Sequence, residues 1–227
     1  MSEESNNNSN SESSRRLVLP GDLMKTKSKP GKGIFRNKGQ VYSSVVGFSS
    51  DQAGYVNVNP IKGRYNPKVG DKIIAICAET GPSVWRMNIG ASFNSTLHHS
   101  ESGWKVPFGD TARFIKIGDA ILGEIFMVDA AGTHQMSLKK DDSRKLYSGT
   151  IIAIEPTSVS RVIGKQGSMI TTIREKTQTR IQIGQNGYIW IDGKGKDIAM
   201  AQKAIEMIDC ETTSKGLTNK IEKLLEK

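Results

Sequence analysis

Two cysteines and three histidines are all that 227 residues contain. Cys77 and Cys210 stand far apart in apolar patterns, so the sequence predicts free, buried thiols in a reducing compartment and not a disulfide framework. His98 and His99 are adjacent, but no cysteine or carboxylate pair lies at ligand spacing from them, and no metal site is expected. Asp141-Asp142 is embedded among Lys139, Lys140, Arg144 and Lys145 and reads as a solvated, self-neutralised connector. Serine, histidine and aspartate are present without any nucleophile motif, so the sequence predicts no catalytic residue and no cofactor. No apolar run reaches membrane-spanning length, and the N-terminus lacks the basic-then-apolar order of a secretion signal. An intracellular, cytoplasmic protein without membrane contact is the expectation.

What is present is positive charge. The formal net charge is +9, although the first fourteen residues carry Glu3, Glu4 and Glu12 and no basic residue. A basic body behind a short acidic segment suits contact with a polyanion. Residues 1–14 hold only Ser, Asn and Glu after Met1, too little apolar surface to offset ordering entropy, and read as a disordered acidic tail.

Three folded regions follow. Residues 15–66 read as a small β domain: Leu17-Val18-Leu19 runs into the Pro20-Gly21-Asp22 turn, and Val41 to Phe48 and Tyr55 to Val58 alternate as half-buried strands. So small a unit is expected to dock on something else. Residues 67–140 supply five short strands, beginning and restarting at the Gly-Asp turns Gly70-Asp71 and Gly118-Asp119, which suits a five-stranded OB barrel. Between its third and fourth strands lie Trp104, Phe108, Arg113, Phe114 and Lys116. Rings and cations so mixed suit a single-stranded nucleic acid, bases stacking while cations track phosphate. The same rings also suit a plug for the barrel end.

Residues 145–227 read as strand, helix, helix, strand, strand, helix, with a further short helix carrying Leu217, Ile221, Leu224 and Leu225 on one face. Between the first two helices stands Arg161-Val162-Ile163-Gly164-Lys165-Gln166-Gly167-Ser168-Met169-Ile170. Glycines at both ends of this turn allow close backbone approach and positive φ. The helix after it points amide N–H groups and its positive dipole end at the turn. That is the G-x-x-G loop of a type I KH domain, which clamps about four nucleotides of backbone. Gly164, Lys165, Gln166 and Gly167 are therefore candidate RNA-binding residues, with Arg161 and Arg174 flanking them and Arg113 and Lys116 on the barrel. For Arg161 and Arg174, a solvated surface role is equally open. Ile163, Ile170, Ile173 and Ile181 are placed to floor a cleft for bases, though most must also serve the core.

Nearly all of the chain except the polar tail resembles the exosome RNA-binding cap subunit of the ribosomal-RNA-processing-protein-four type, in its archaeal form. The resemblance rests on Leu17 to Asp22, Gly39 to Gly47, Leu97-His98-His99-Ser100-Glu101, Arg113-Phe114, Arg161 to Ile170, and above all Ile183 to Ile191. That last stretch looks like the family's G-x-N-G signature, here Gly184, Asn186 and Gly187, whose implied role is structural. Asn88 departs from the pattern, where an aspartate is expected. The resemblance implies a non-catalytic subunit in a homotrimeric cap, or a mixed cap with a related subunit, on a ring of ribonuclease-PH-like subunits. The N-terminal domain would hold the ring, and the OB domain (the type named after ribosomal protein S-one) would line the entrance pore. The cap would capture single-stranded RNA and thread its 3′ end into the ring for 3′-to-5′ degradation. The alternative is a transcription elongation or antitermination factor, which carries two KH units where this chain fits one. A phosphorolytic exoribonuclease carries both modules in the opposite order, behind a catalytic domain this chain lacks.

Overall fold

The computed structural model describes residues 16–24, 28–52, 54–129, 132–211 and 217–225, and the expected polar tail lies outside them. The chain divides into two units, one ending at Lys62 and one beginning at Gly63.

In the first unit, β1 (Arg16–Val18), β2 (Lys29–Pro30), β5 (Gly47–Gln52) and β6 (Tyr55–Pro60) form a sheet in the order β1-β5-β6-β2. A separate hairpin pairs β3 (Ile34–Asn37) with β4 (Gln40–Ser43), and Phe35 stacks on Tyr42 across it at 5.5 Å. The sequence predicts one strand from Val41 to Phe48, whereas the structure breaks it between β4 and β5. The buried Ser43 hydroxyl donates to the Val45 carbonyl at 2.7 Å and turns the chain there. Strand alternation sends Val18, Val56 and Val58 inward and leaves Leu17, Leu19 and Tyr55 exposed.

The second unit begins with β7 (Lys72–Thr80), β8 (Val84–Asn88), β9 (Ser95–His98), α1 (Thr111–Phe114), β10 (Ala120–Val128) and β11 (His134–Ser137). β11 pairs antiparallel with β10 and parallel with β9, so the strands close in the order β7-β8-β9-β11-β10. This is an OB-type five-stranded barrel, with Ile73, Trp85, Met87, Leu97, Ile121, Ile125 and Met136 filling it. Trp85 is fully buried, and its indole N–H donates to the carbonyls of Thr111 and Ile115, both at 3.2 Å. That pair of bonds holds α1 across the barrel end.

Three Gly-Asp turns share one device. Asp22, Asp71 and Asp119 each accept a hydrogen bond from the backbone N–H three residues earlier, at 2.9, 3.1 and 2.6 Å, around a left-handed glycine.

Arg144–Leu146 forms β12, which pairs with β10 and so extends the barrel sheet. The connector read from the sequence is thus partly a strand, and the strand expected to open the region from residue 145 is β13 (Thr150–Ala153), separated from β12 by a break. Gly149 sets the break: its φ is +86°, and a Cβ there would lie 2.3 Å from the Ile191 carbonyl. Lys145 is paired with Asp119 and also donates to the Phe114 carbonyl at 3.2 Å, anchoring β12 to the barrel.

The remaining elements are α2 (Val159–Ile163), α3 (Ser168–Thr177), β14 (Arg180–Ile183), β15 (Tyr188–Asp192), α4 (Gly195–Cys210) and α5 (Leu217–Leu225), with a sheet ordered β13-β15-β14. This is the type I KH arrangement. Ile170, Ile173, Ile181, Ile189, Ile191, Ala201, Ile205 and Ile208 make its core, and Ile221 and Leu225 of α5 join it. Cys77 is buried in the barrel, and burial raises its thiol to about 11; Cys210, contrary to expectation, is exposed at the end of α4.

Barrel and KH sheet share a small apolar seam of Ile74, Ala120, Leu122, Leu146 and Trp190. Beside it the buried Asn186 side chain accepts from the Ile74 N–H at 3.3 Å and donates to the carbonyls of Ile74 and Ile89 at 2.8 and 2.9 Å. The Gln185 N–H donates to the Lys72 carbonyl at 2.8 Å. A Cβ at Gly184 would meet the Asn186 side chain at 2.2 Å and the Ile74 nitrogen at 2.7 Å. Gly187 has φ of +86°, and a Cβ there would fall 2.3 Å from the Ile154 carbonyl. Asn88 accepts from the Gly90 N–H at 2.9 Å and from the Tyr188 hydroxyl at 3.4 Å. Both are acceptor roles that an aspartate would also fill, so the departure from the family pattern keeps the same bonds.

Asn186→Ala is expected to cost roughly 2–4 kcal/mol, because buried backbone groups lose their partners. Asn186→Asp should be at least as damaging, since it turns a lone pair toward two carbonyls. Urea unfolding of both variants checks this; an aspartate variant as stable as the native chain would contradict it.

A pH dependence follows from three carboxylates. Lys139 holds Glu101 below the ordinary range. Ser148 and Arg180 do the same for Asp192. At Asp119 burial raises the value, but Lys145 and the Lys116 N–H outweigh it and the net shift is downward. A carboxyl depressed in the folded state stabilises fully above its unfolded value and loses that contribution as pH falls through the folded one. Burial also holds the His134 ring below its ordinary value, so the stability of its neutral form is lost as pH falls below about 6.5. The melting temperature should therefore begin to decline there and fall more steeply below about pH 4 as the carboxylates protonate. Asp119→Asn should lower it at neutral pH and much less at about pH 3.

Candidate nucleic-acid interface

α2 ends at Gly164, which adopts φ +75° and ψ 179° and donates its N–H to the Ser160 carbonyl at 3.0 Å. The chain then makes one tight turn through Lys165, Gln166 and Gly167 and enters α3. Gln166 (φ +52°) and Gly167 (φ +80°) both lie in the left-handed region, and the turn is closed by the Gly167 N–H donating to the Gly164 carbonyl at 3.3 Å and the Ser168 N–H to the Lys165 carbonyl. Gly167 precedes α3 with no side chain capping the first-turn amides. Lys165 and Gln166 are exposed, and the half-exposed Ile163 stands beside them. Cation, open amides and helix dipole thus converge on one side of the turn, the arrangement that receives a phosphate.

The two glycines differ. A Cβ at Gly164 would come within 2.7 Å of Met169 Cβ and 2.8 Å of Met169 N, whereas one at Gly167 would meet nothing within 4 Å. Gly164 is thus required by how closely α3 doubles back on α2; Gly167 is required by its φ. The close approach of Met169 carries no sequence signal, and neither does the left-handed backbone at Gln166.

The flanking arginines are partly committed. The Arg161 guanidinium donates to the Ser158 hydroxyl at 2.8 Å and the Glu211 carbonyl at 3.1 Å, tying α2 to the end of α4. Arg174 donates to the Ile181 carbonyl, tying α3 to the edge strand β14. Of the cleft isoleucines, Ile170, Ile173 and Ile181 are core residues and Ile163 alone reaches the surface.

On the barrel, Arg113 is exposed and pairs with Asp110 at 3.3 Å, and Lys116 is exposed in the following turn. The aromatic group divides. Phe114 packs against the barrel core, Trp104 stacks on it at 6.4 Å while remaining 39% exposed, and Phe108 is 78% exposed at a turn tip. Plug and platform are therefore separate rings. His98 uses Nδ1 to accept from the Ser100 N–H at 3.3 Å. Among the described residues no cluster of three or more His, Cys, Asp or Glu is placed to hold a metal, and no helix is long and apolar enough to cross a membrane.

Comparison with known proteins agrees with this geometry. The KH domain family model matches residues 149–207. The exosome complex component Rrp4 of Thermoplasma volcanium is 38% identical over 212 residues, spanning 93% of this chain and 90% of its own. The protein of the same name from Methanosarcina mazei is 36% identical over 208 residues, spanning 91% and 80%, and that of Pyrococcus horikoshii 36% over 218 residues, spanning 93% and 82%. A crystal structure assigned to an exosome complex RNA-binding protein aligns with a TM-score of 0.66 at 28% identity, over 72% of this chain and 96% of that one. With a type I KH fold behind an OB barrel, and relatives of this identity and coverage, the chain belongs to the family of the archaeal exosome complex component Rrp4.

Proposed function

We propose that this chain is a non-catalytic RNA-binding cap subunit of the archaeal exosome, acting in the cytoplasm. It captures single-stranded RNA and feeds the 3′ end to a ring of ribonuclease-PH-like subunits for 3′-to-5′ degradation. The observation that carries the reading is the exposed Gly164-Lys165-Gln166-Gly167 turn at the start of α3, in a chain of this family. Uncapped backbone amides in the first turn of α3 receive phosphate, and Lys165 adds a mobile cation. Arg161 and Arg174 act from the edges with the donors left over from their structural bonds. Arg113 and Lys116 extend the positive surface onto the barrel. The N-terminal β unit contacts the ring, and the cap is a homotrimer or a mixed assembly with a related subunit. Gly184, Asn186 and Gly187 serve the fold and touch no RNA.

Lys165 and Gln166 are the positions at which to test capture. Both are exposed, and aspartate tolerates the left-handed backbone at 166, whereas any side chain at Gly164 would first collide with Met169. Lys165→Asp with Gln166→Asp should weaken binding of a short labelled RNA by about tenfold or more while the melting temperature is unchanged. Unchanged affinity at low salt would remove the turn from the mechanism.

The purified chain should release no nucleotides from RNA in phosphate and Mg²⁺, while addition of the ring subunits should restore degradation. Intrinsic phosphorolysis would contradict the non-catalytic role. Native mass measurement of the same mixture should show cap chains bound to the ring.

A further inference from the structure

The seam between barrel and KH sheet carries a surface that the G-x-x-G mechanism does not use. Two adjoining hollows, about 450 and 410 Å³, share Arg144, Arg180 and Trp190. Arg174 lines the first; Trp104 and Tyr147 line the second. Neither lining contains a carboxylate. Each volume is in the range of small-ligand sites.

The rings and cations here are presented outward. Tyr147 is 84% exposed, with the Lys145 ammonium 5.6 Å from its ring centre. Lys145 is itself held by Asp119 and the Phe114 carbonyl, so it positions β12, which Tyr147 directly follows. Trp104 is braced from behind by Phe114. Trp190 donates its indole N–H to the Ser148 carbonyl and floors the groove. Arg144 is exposed, with its charge felt by the nearby Asp142 carboxylate that Lys72 holds. Arg180 pairs with Asp192 through Nε and Nη2, yet its side chain is 79% exposed, leaving Nη1 toward solvent. Arg180 and Gln182 alternate along β14 with Ile181 and Ile183, which pack on the helix-side core, so this surface lies on the opposite face of the KH sheet.

We infer that this seam is a second binding site for single-stranded RNA, continuing the strand held at the G-x-x-G turn. Bases stack on Tyr147 and Trp104, while Arg144, Arg174 and Arg180 meet phosphates. Arg174 makes the continuation feasible, since it lies roughly 9 Å along α3 from Ser168. The inference rests on the RNA-capture reading above and adds a path by which captured RNA leaves the KH turn toward the barrel.

The test uses the full chain and a fluorescein-labelled oligouridylate of about twelve nucleotides, within the footprint of a single-stranded site. Arg144→Ala with Tyr147→Ala should lower affinity about tenfold or more at low salt with an unchanged melting temperature. Tyr147→Phe, which keeps the ring, should bind like the native chain. A 4-thiouridine-substituted version of the oligonucleotide should crosslink to the peptide around Tyr147. If the native chain binds but the alanine pair binds within about twofold of it, the seam site is wrong and capture at the turn stands. If the native chain does not bind the oligonucleotide, the capture reading fails and the seam proposal with it.

Discussion

Asn186 is the constraint on which the second unit depends. One amide side chain, buried between a KH hairpin and the first barrel strand, satisfies one backbone donor and two carbonyl acceptors. An unpaired buried group of this kind costs roughly 1–3 kcal/mol, so the three bonds together fix the hairpin on the barrel more firmly than the small seam core of Ile74 and Trp190 would alone. The glycines on either side follow from it. Gly184 lets the hairpin lie against the Ile74 backbone, and Gly187 lets it turn under the Ile154 carbonyl. The motif is therefore a docking device, and each of its named positions has a separate steric or hydrogen-bonding reason.

The same docking decides what the KH module can present. Trp190 and Tyr188 on the outer sheet face are covered by the barrel, so the helix side with its glycine turn, and the rim where sheet meets barrel, are what remain for a ligand. The capture proposed for the turn rests on backbone geometry more than on side-chain charge: only Lys165 is a cation within it, and the nearest arginines are each tied to a carbonyl. Charge is distributed instead over the rim, on Arg144 and Arg180. On the proposed reading, a polyanion longer than the turn would find further partners there.

Much of this architecture was legible in the sequence because its determinants are local. The KH order, the barrel strands and the Gly-Asp turns all follow from alternation, three-to-four spacing and a glycine before an aspartate. What escaped is non-local. The break at Ser44–Val46 depends on a serine hydroxyl folding back on a carbonyl, and Arg144–Leu146 becomes a strand only because the edge of β10 is open to it. Arg161 and Arg174 look like phosphate ligands along the chain; their ties to Glu211 and Ile181 appear only when distant elements meet. The aromatic cluster shows the same limit. Phe114 and Phe108 are similar residues in one short segment, and the fold makes one a plug and the other an exposed tip.

The central claim is that the chain holds single-stranded RNA through several phosphates at once, and its salt dependence tests that most directly. Affinity of the full chain for a short oligouridylate, titrated across a salt series, should give a log–log slope of about −2 or steeper, as expected at roughly 0.7 per phosphate for a single strand. A slope near zero, with binding intact, would contradict the account.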